Sequence, residues 1–507
     1  MRAQRDVVRI SAVIGAAILS LPLMPASARA QDLPLAQLLP DLILREIVVQ
    51  SPTTGTFSHV AHFSPIEANE LSNPVVGIVQ SFNTQMATQF STFPLGSSTG
   101  GLTYVFDESV GTFRRSSASF GPMFAERALT IGRRKLSVGF NYQRTSYNTF
   151  EGQNLDDGSI KFYLRHQDCC TFKLIPEAPF FQFSRQGDGS RLTPPFEGDI
   201  IEAALSLKAT THTTAAFANY GVTDHWDVGI AVPFVRVNLD ASVTARILRL
   251  VTGPPPDAPL SAADRQAALN THTFELNNPN ATLTVGHSGH ATGLGDIVLR
   301  TKYHFLRMAG GGLAAAVDLR LPTGDENNLL GTGGAQAKFF LVASSERGRF
   351  GEHANVGYTA AKGDVAGTVA GLTATSLPDE INYAGGVEFV ANPRFTVNGD
   401  LVGRTLQRAG RLDLVSKVFQ YSDPSKLPEI FTPQTLVQAG ILTFPTSSVA
   451  LDEFNPRSGN LTLLLGTGGV KYNVAGNLLI SGSVLFPLTN AGLRSRVTTM
   501  VGLDYAF

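Results

Sequence analysis

From about residue 135 the chain alternates apolar with small or polar residues, in runs separated by turns. Leu136, Val138, Phe140 and Tyr142 share one face, and Ser137, Gly139, Asn141 and Gln143 share the other. A period of two marks a strand whose two faces meet different surroundings. The same pattern recurs over Ile160–Arg165, Ile201–Lys208, Trp226–Val232, Ile297–Phe305, Leu313–Leu321, Ala337–Leu341, Ile381–Phe389, Phe395–Arg404, Leu478–Phe486 and Val497–Phe507. Near Pro233 the apolar phase changes, from Trp226, Val228, Ile230 and Val232 to Val235, Val237 and Leu239, which predicts a β-bulge there. Between residues 460 and 472, Leu461, Leu463 and Leu465 fall on the same face as Lys471, so the pattern does not say which face is which.

The last strand ends on an aromatic, Phe507, with Tyr505 two residues earlier. Such an ending suits the terminal strand of an outer-membrane barrel, whose aromatic girdle lies at the interface. Counting back from a periplasmic Phe507 gives each connection a side. The periplasmic connections are Asn473–Gly476, Ala391–Pro393, Arg347–Gly351, Arg307–Gly311, Thr223–His225 and Glu151–Asp156, all short. The outer ones, residues 407–459, 362–378, 323–332, 248–292 and 166–198, are long, and Thr489–Leu493 is the exception. Short inner turns with long outer loops are the habit of bacterial barrels. Strand parity with a periplasmic N-terminus then asks for one more ascending strand, which residues 119–132 can supply, with residues 101–107 a second candidate. The expectation is an all-β protein, a transmembrane antiparallel barrel of about 14 strands. Twelve is an alternative, and a further hairpin at Lys417–Tyr421 and Thr435–Phe444 would give 16.

The N-terminal region reads differently. Residues 1–30 have a basic start, an apolar stretch and a small-residue end at Ala28 and Ala30, as a signal peptide cut near Ala30 would. Residues 31–118 form the predicted helical segment, ahead of a barrel over 119–507. Leu35, Leu38, Leu39, Leu42 and Ile43 are helically spaced, with Pro40 expected to kink the helix. A second helix is expected to open at Asn73-Pro74 and to bury Val75, Ile78, Val79, Phe82, Met86 and Phe90. This segment could plug the barrel or cap its periplasmic base.

Composition changes the picture little. Charged residues make up 16% of the chain and the formal net charge is −1, which argues against nucleic acid as a partner. Two adjacent cysteines, Cys169 and Cys170, exclude a disulfide framework. The inward set on the barrel reading, the candidate lumen lining, is Lys161, Arg165, Lys208, Arg236, Arg300, Lys302, His304, Asp318, Arg320, Lys338, Asp400, Arg404, Arg496 and Asp504. Its cationic excess would favour anions or acidic aromatics; the plainer reading has these charges pairing across strands, as Arg300 and Asp318 could. Tyr505 and Phe507 are the expected membrane-anchoring strand end. No catalytic residue, metal site or cofactor is expected: His287 and His290 lie three apart in a polar stretch without an acidic ligand at motif spacing, and no nucleophile is identified.

The segments YGVTDHWDVGIAVPF (220–234), GLGDIVLRTKYHFL (293–306), LRLPTGDENNLLGTG (319–333) and LFPLTNAGLRSRVTTMVGLDYAF (485–507) resemble outer-membrane barrels of the meta-pathway phenol degradation type, neighbours of the fatty-acid and aromatic-hydrocarbon uptake channels. The resemblance implies a bacterial outer-membrane channel for small hydrophobic or aromatic molecules, in contact with outer-membrane lipid, an unidentified small solute and the barrel-assembly machinery through its last strand. The alternative is a structural or adhesive barrel acting through its outer loops.

Overall fold

The computed structural model describes residues 33–49, 74–92, 101–107, 112–164, 200–250, 280–308, 310–365, 375–422 and 446–507, with a few short pieces between them. The expected signal segment 1–30, Arg165, Cys169, Cys170 and Thr435–Phe444 lie outside the described residues. Two helices come first, α1 (Leu35–Leu44) and α2 (Pro74–Ser91). A small hairpin follows, β1 (Tyr104–Asp107) with β2 (Thr112–Arg115). The main sheet contains β3 (Leu136–Tyr147), β4 (Ile160–Leu164), β5 (Ile200–Gly221), β6 (Trp226–Leu248), β7 (Leu283–Leu294), β8 (Val298–Met308), β9 (Gly311–Arg320) and β10 (Ala335–Arg347). It continues with β11 (Phe350–Lys362), β12 (Glu380–Asn392), β13 (Phe395–Ser422), β14 (Thr446–Ala475), β15 (Leu478–Pro487) and β16 (Thr498–Ala506).

Twelve of these strands close on themselves. Neighbour follows neighbour from β8 to β16, β16 pairs with β3, β3 with β5, β5 with β6, and β6 with β8, all antiparallel. The last amide, Phe507 N–H, donates to the Leu136 carbonyl at 2.8 Å, so the chain end is tied to the first barrel strand. Closure leaves no free edge within the membrane, which lipid requires of any sheet.

Twelve is the lower of the expected alternatives, and two expected strands account for the difference. Residues 119–132 are irregular rather than a strand. Ile160–Leu164 pairs only with Ile201–Leu205, at the end of β5 remote from its inner turn, so β4 flanks the barrel without crossing it. Leu136 sits opposite Tyr220 beside that turn and Tyr147 opposite Ala209, so β3 ascends. The Glu151–Asp156 turn is therefore at the outer end, not in the periplasm. The parity argument holds because one strand leaves the count and none is added.

Strand lengths divide the barrel into a membrane part and a collar. β9, β15 and β16 have 10, 10 and 9 residues, close to the roughly 9–11 that span a bilayer. β6, β13 and β14 have 23, 28 and 30 and rise well beyond it. Thr489–Leu493 does sit at a low point of the wall. There Leu493–Arg494 pairs with Thr149–Phe150, which folds over from the neighbouring outer turn.

The expected bulge at Pro233 is absent. β5 and β6 pair without a register shift from Gly221↔Asp227 to Ile200↔Leu248. The surroundings change, not the phase. Up to Phe234 the outward residues are apolar and exposed (Trp226, Ile230, Phe234), while inward Asp227 is buried. Above it the outward residues are polar, Arg236 and Asp240 among them, and the inward Val235, Val237, Leu239 and Val243 are buried. The inversion marks where lipid gives way to water outside and where an apolar filling begins inside. Around the wall Tyr303, Phe339, Leu341, Val356, Val387, Leu401 and Val501 are each more than half exposed. A continuous apolar band of that kind belongs against lipid. The protein is a barrel of the bacterial outer membrane.

The apolar filling of the collar is the helix pair. α1 and α2 share one core with inward residues of β5 and β6, such as Leu207 and Leu239, and with Leu412 and Phe454 of the β13–β14 hairpin. Val75, Ile78, Val79, Phe82, Met86 and Phe90 are all buried, but so is the polar side of α2, including Asn83, Gln85 and Thr88. A helix lying on the barrel base would leave that side wet. Pro40 does not break α1. Its missing N–H would leave the Ala36 carbonyl unpaired, and Asn83 Nδ2 donates to that oxygen at 2.8 Å instead.

Candidate functional site

Below the helices a second piece of chain crosses the bore. Residues 116–131 have no regular structure of their own, so their backbone groups need partners from the wall. Inward polar side chains provide them. Asp400 Oδ2 accepts from the Met123 and Phe124 amides at 3.1 and 3.2 Å. Lys471 Nζ donates to the carbonyls of Phe120 and Pro122 at 3.1 and 2.8 Å. Asn355 both accepts from Glu126 N–H and donates to its carbonyl. Ser344 accepts from Ala128 N–H at 3.1 Å, and Asp227 from Ile131 N–H at 3.0 Å.

One side chain of the segment answers in kind. The Glu126 carboxylate takes Lys302 Nζ at 2.9 Å and Arg300 Nη1 at 3.0 Å. Lys302, 1% exposed, also donates to the carbonyls of Arg127 and Leu129. Arg300 in turn holds both oxygens of Asp318, at 2.5 and 2.6 Å. Burying such charges is favourable only with this density of partners. The segment is locked across the inner half of the barrel by fixed charges.

Between the two obstructions lies a chamber of about 240 Å³. Phe90 of α2 and Tyr147 are part of its lining at the helical end, and Phe124 and Glu126 at the inner end. Its wall carries five basic residues, Arg300, Arg320, Lys338, Arg404 and Arg494, against the acids Glu126, Asp318 and Glu380. Arg404 reaches Glu380 at 3.4 Å and Thr92 Oγ1 at 2.5 Å. Arg320 donates to the Ser91 carbonyl, and Lys338 lies 4.7 Å over the Phe340 ring. Neither forms an ion pair among the described residues.

The candidate lining thus divides. Arg300, Asp318, Arg320, Lys338 and Arg404 face the chamber. Lys302 and Asp400 hold the inner segment, and His304 and Asp504 are buried on the inward face. Lys208 and Arg236 are corrected: both point outward from the collar, because inward positions at that height pack on the helices. Lys161 is also in the collar, bonded to Glu202 at 3.3 Å, where Arg246 joins it at 2.8 Å. Burial works against the charge on Glu202, yet the bonds from these two bases outweigh it and hold its carboxyl below the usual range. Arg496 is exposed on the outer rim before β16 begins. Tyr505 and Phe507 stack edge to face at 4.7 Å at the inner end. His287 belongs to strand β7, not a loop, and is paired with Glu46.

Glu126, Lys471, Asn355 and Glu380 were not among the expected lining residues. Glu126 falls in the stretch 119–132 expected as a strand, although Ser117-Ala118-Ser119-Phe120-Gly121-Pro122 shows no alternation and ends on a Gly-Pro turn signal. Lys471 shares the inward face with Leu461, Leu463 and Leu465, which settles the ambiguous strand.

Comparison with known proteins finds outer-membrane channels among solved structures. An outer-membrane channel from Pseudomonas putida F1 is 8% identical, with a TM-score of 0.40, covering 75% of this chain and 98% of that one. A FadL homologue from Pseudomonas aeruginosa is 12% identical, with a TM-score of 0.28 over 80% of this chain and 94% of that one. The Ralstonia pickettii toluene transporter TbuX is 10% identical, with a TM-score of 0.25 over 75% and 91%. No curated protein matches the sequence. Likeness at this level carries no argument about what passes through the barrel. Residues 184–397 match the family described as "Putative MetA-pathway of phenol degradation".

Proposed function

We propose that the protein is a gated outer-membrane channel for small hydrophobic or aromatic molecules, closed in this conformation at two levels. The observation that carries the reading is the chamber itself. A closed twelve-stranded barrel holds an internal space with α1 and α2 at one end and residues 116–131 at the other. A barrel that served only as a scaffold or an adhesin has no need of a lined space at its centre. The inner segment is the movable element on this reading, since it is irregular and held by polar contacts that water could replace. The helix pair, fixed by a continuous apolar core, is a plug of the outer mouth that moves less readily.

Flux into protein-loaded liposomes tests the proposal. The intact protein is expected to pass small aromatic solutes slowly. Lys302→Met, which removes one of the two bases on Glu126 and the donor to two carbonyls, is expected to raise the rate. Liposomes that stay sealed with both proteins would contradict a channel in any form.

A further inference from the structure

The chamber has two unlike walls, and the sheet register shows which is which. On one side Arg300, Asp318, Lys338, Thr359 and Glu380 stand opposite one another in successive strands, from β8 to β12. Arg320 lies one inward position further along β9. On the other side the row runs through Leu463 and Leu465 of β14, Leu485 of β15, and then Thr498, Thr145 and Thr211 in register across β16, β3 and β5. The charged lining residue on that side is Arg494, which donates to Thr489 Oγ1 at 2.7 Å. Phe90, Tyr147 and Phe124 complete the enclosure with aromatic surface.

The charges on the first wall do not cancel. Asp318 is taken bidentately by Arg300, and Lys338, its neighbour in register, makes no ion pair with it. Glu380 is directed to Arg404 and Glu126 to Arg300 and Lys302. Lys338 is left over an aromatic face and Arg320 on a single carbonyl. Arg320 and Lys338 are half-buried cations with no carboxylate within ion-pair distance among the described residues, an arrangement that favours an incoming anion. The volume, about 240 Å³, is below the roughly 300–1,000 Å³ of sites for drug-sized ligands, so the occupant is small.

We propose that the chamber is a binding site for a small carboxylate with an apolar body, its carboxylate set between Arg320 and Lys338 and its body against Leu463, Leu465, Leu485 and the aromatic rings. The site gives the channel a preference for acids over neutral hydrocarbons of the same shape. It rests on the channel reading only for how the ligand arrives.

The test uses the full chain in detergent at physiological salt, with benzoate and its neutral counterpart benzyl alcohol as probes in equilibrium dialysis. Benzoate is expected to bind saturably, and benzyl alcohol at least about tenfold more weakly, the difference that hydrogen bonds to a charged group make. Lys338→Met and Arg320→Gln should each weaken benzoate roughly ten- to a hundredfold and leave benzyl alcohol unchanged. Heat-modifiable migration in gels, together with retained benzyl alcohol binding, shows that the variants are folded. Lys208→Gln, outward on the collar, should change neither. Equal binding of the two probes, full benzoate affinity in both variants, or no benzoate binding at all would overturn the inference. Liposome flux on the same preparations separates the two claims. Flux without benzoate binding removes the site and leaves the channel, whereas benzoate binding in sealed liposomes does the reverse.

Discussion

Pro40 and Asn83 show how single side chains make a helix tolerable inside a barrel. The proline leaves the Ala36 carbonyl without its helical partner, and the Asn83 amide fills that place from the neighbouring helix. Asn83→Leu keeps the number of side-chain heavy atoms but orphans the oxygen, at a cost of about 1–3 kcal/mol. The midpoint of thermal unfolding in detergent should fall accordingly, while the membrane strands keep their β-signal. Lys302 sets a larger stake. It is fully buried on three acceptors of the inner segment, and breaking a buried ionic cluster by removing one member costs roughly 3–5 kcal/mol. In Lys302→Met, residues 116–131 should become accessible to added protease from the inner side; protection equal to the parent's would show that the segment is not held in this way. At this scale the sequence was informative about residue type only. Basic and acidic positions with inward parity could be picked out, yet parity could not separate Lys302, which grips a loop, from Lys338, which faces a cavity.

At the scale of the element, β6 carries the clearest lesson. Its alternation is legible along the whole strand, and the change at Pro233 is visible too, but its cause is not. A slip in register and a change of surroundings leave the same trace in hydrophobicity, because pattern reports only contrast between faces. The uninterrupted pairing with β5 decides for the second. By parity alone the same ambiguity places Lys208 and Arg236 inward, whereas both are exposed on the outward face. Outward substitutions on β6 should therefore have opposite consequences at two heights. Ile230→Arg, in the lipid-facing half, should cost about 2–4 kcal/mol near the midplane. Asp240→Arg, on the same face in the collar, should stay within about 0.5 kcal/mol. Urea unfolding from vesicles measures both, and equal costs would place the boundary wrongly. The helices were legible from spacing, and α2 carried a further signal: its eighteen residues contain no charged side chain, unusual for a helix with a wet face.

For the whole molecule, the closed antiparallel barrel and the sidedness of its turns, Glu151–Asp156 excepted, could be read from alternation and connection length. What could not be read is the interior, since residues 116–131 derive their conformation from the wall and have no period of their own. The central claim is that this segment is the gate. Ala128 N–H and Ser344 Oγ meet at 3.1 Å, which makes the two positions suitable for a cross-link. In a background with Cys169→Ser and Cys170→Ser, Ala128→Cys and Ser344→Cys should form a disulfide under oxidising conditions. The most direct measurement is flux of a small aromatic solute into liposomes carrying this protein, before and after reduction. The account predicts sealed liposomes when oxidised and flux restored to the level of the cysteine-free parent when reduced. Equal flux in the two states would contradict it.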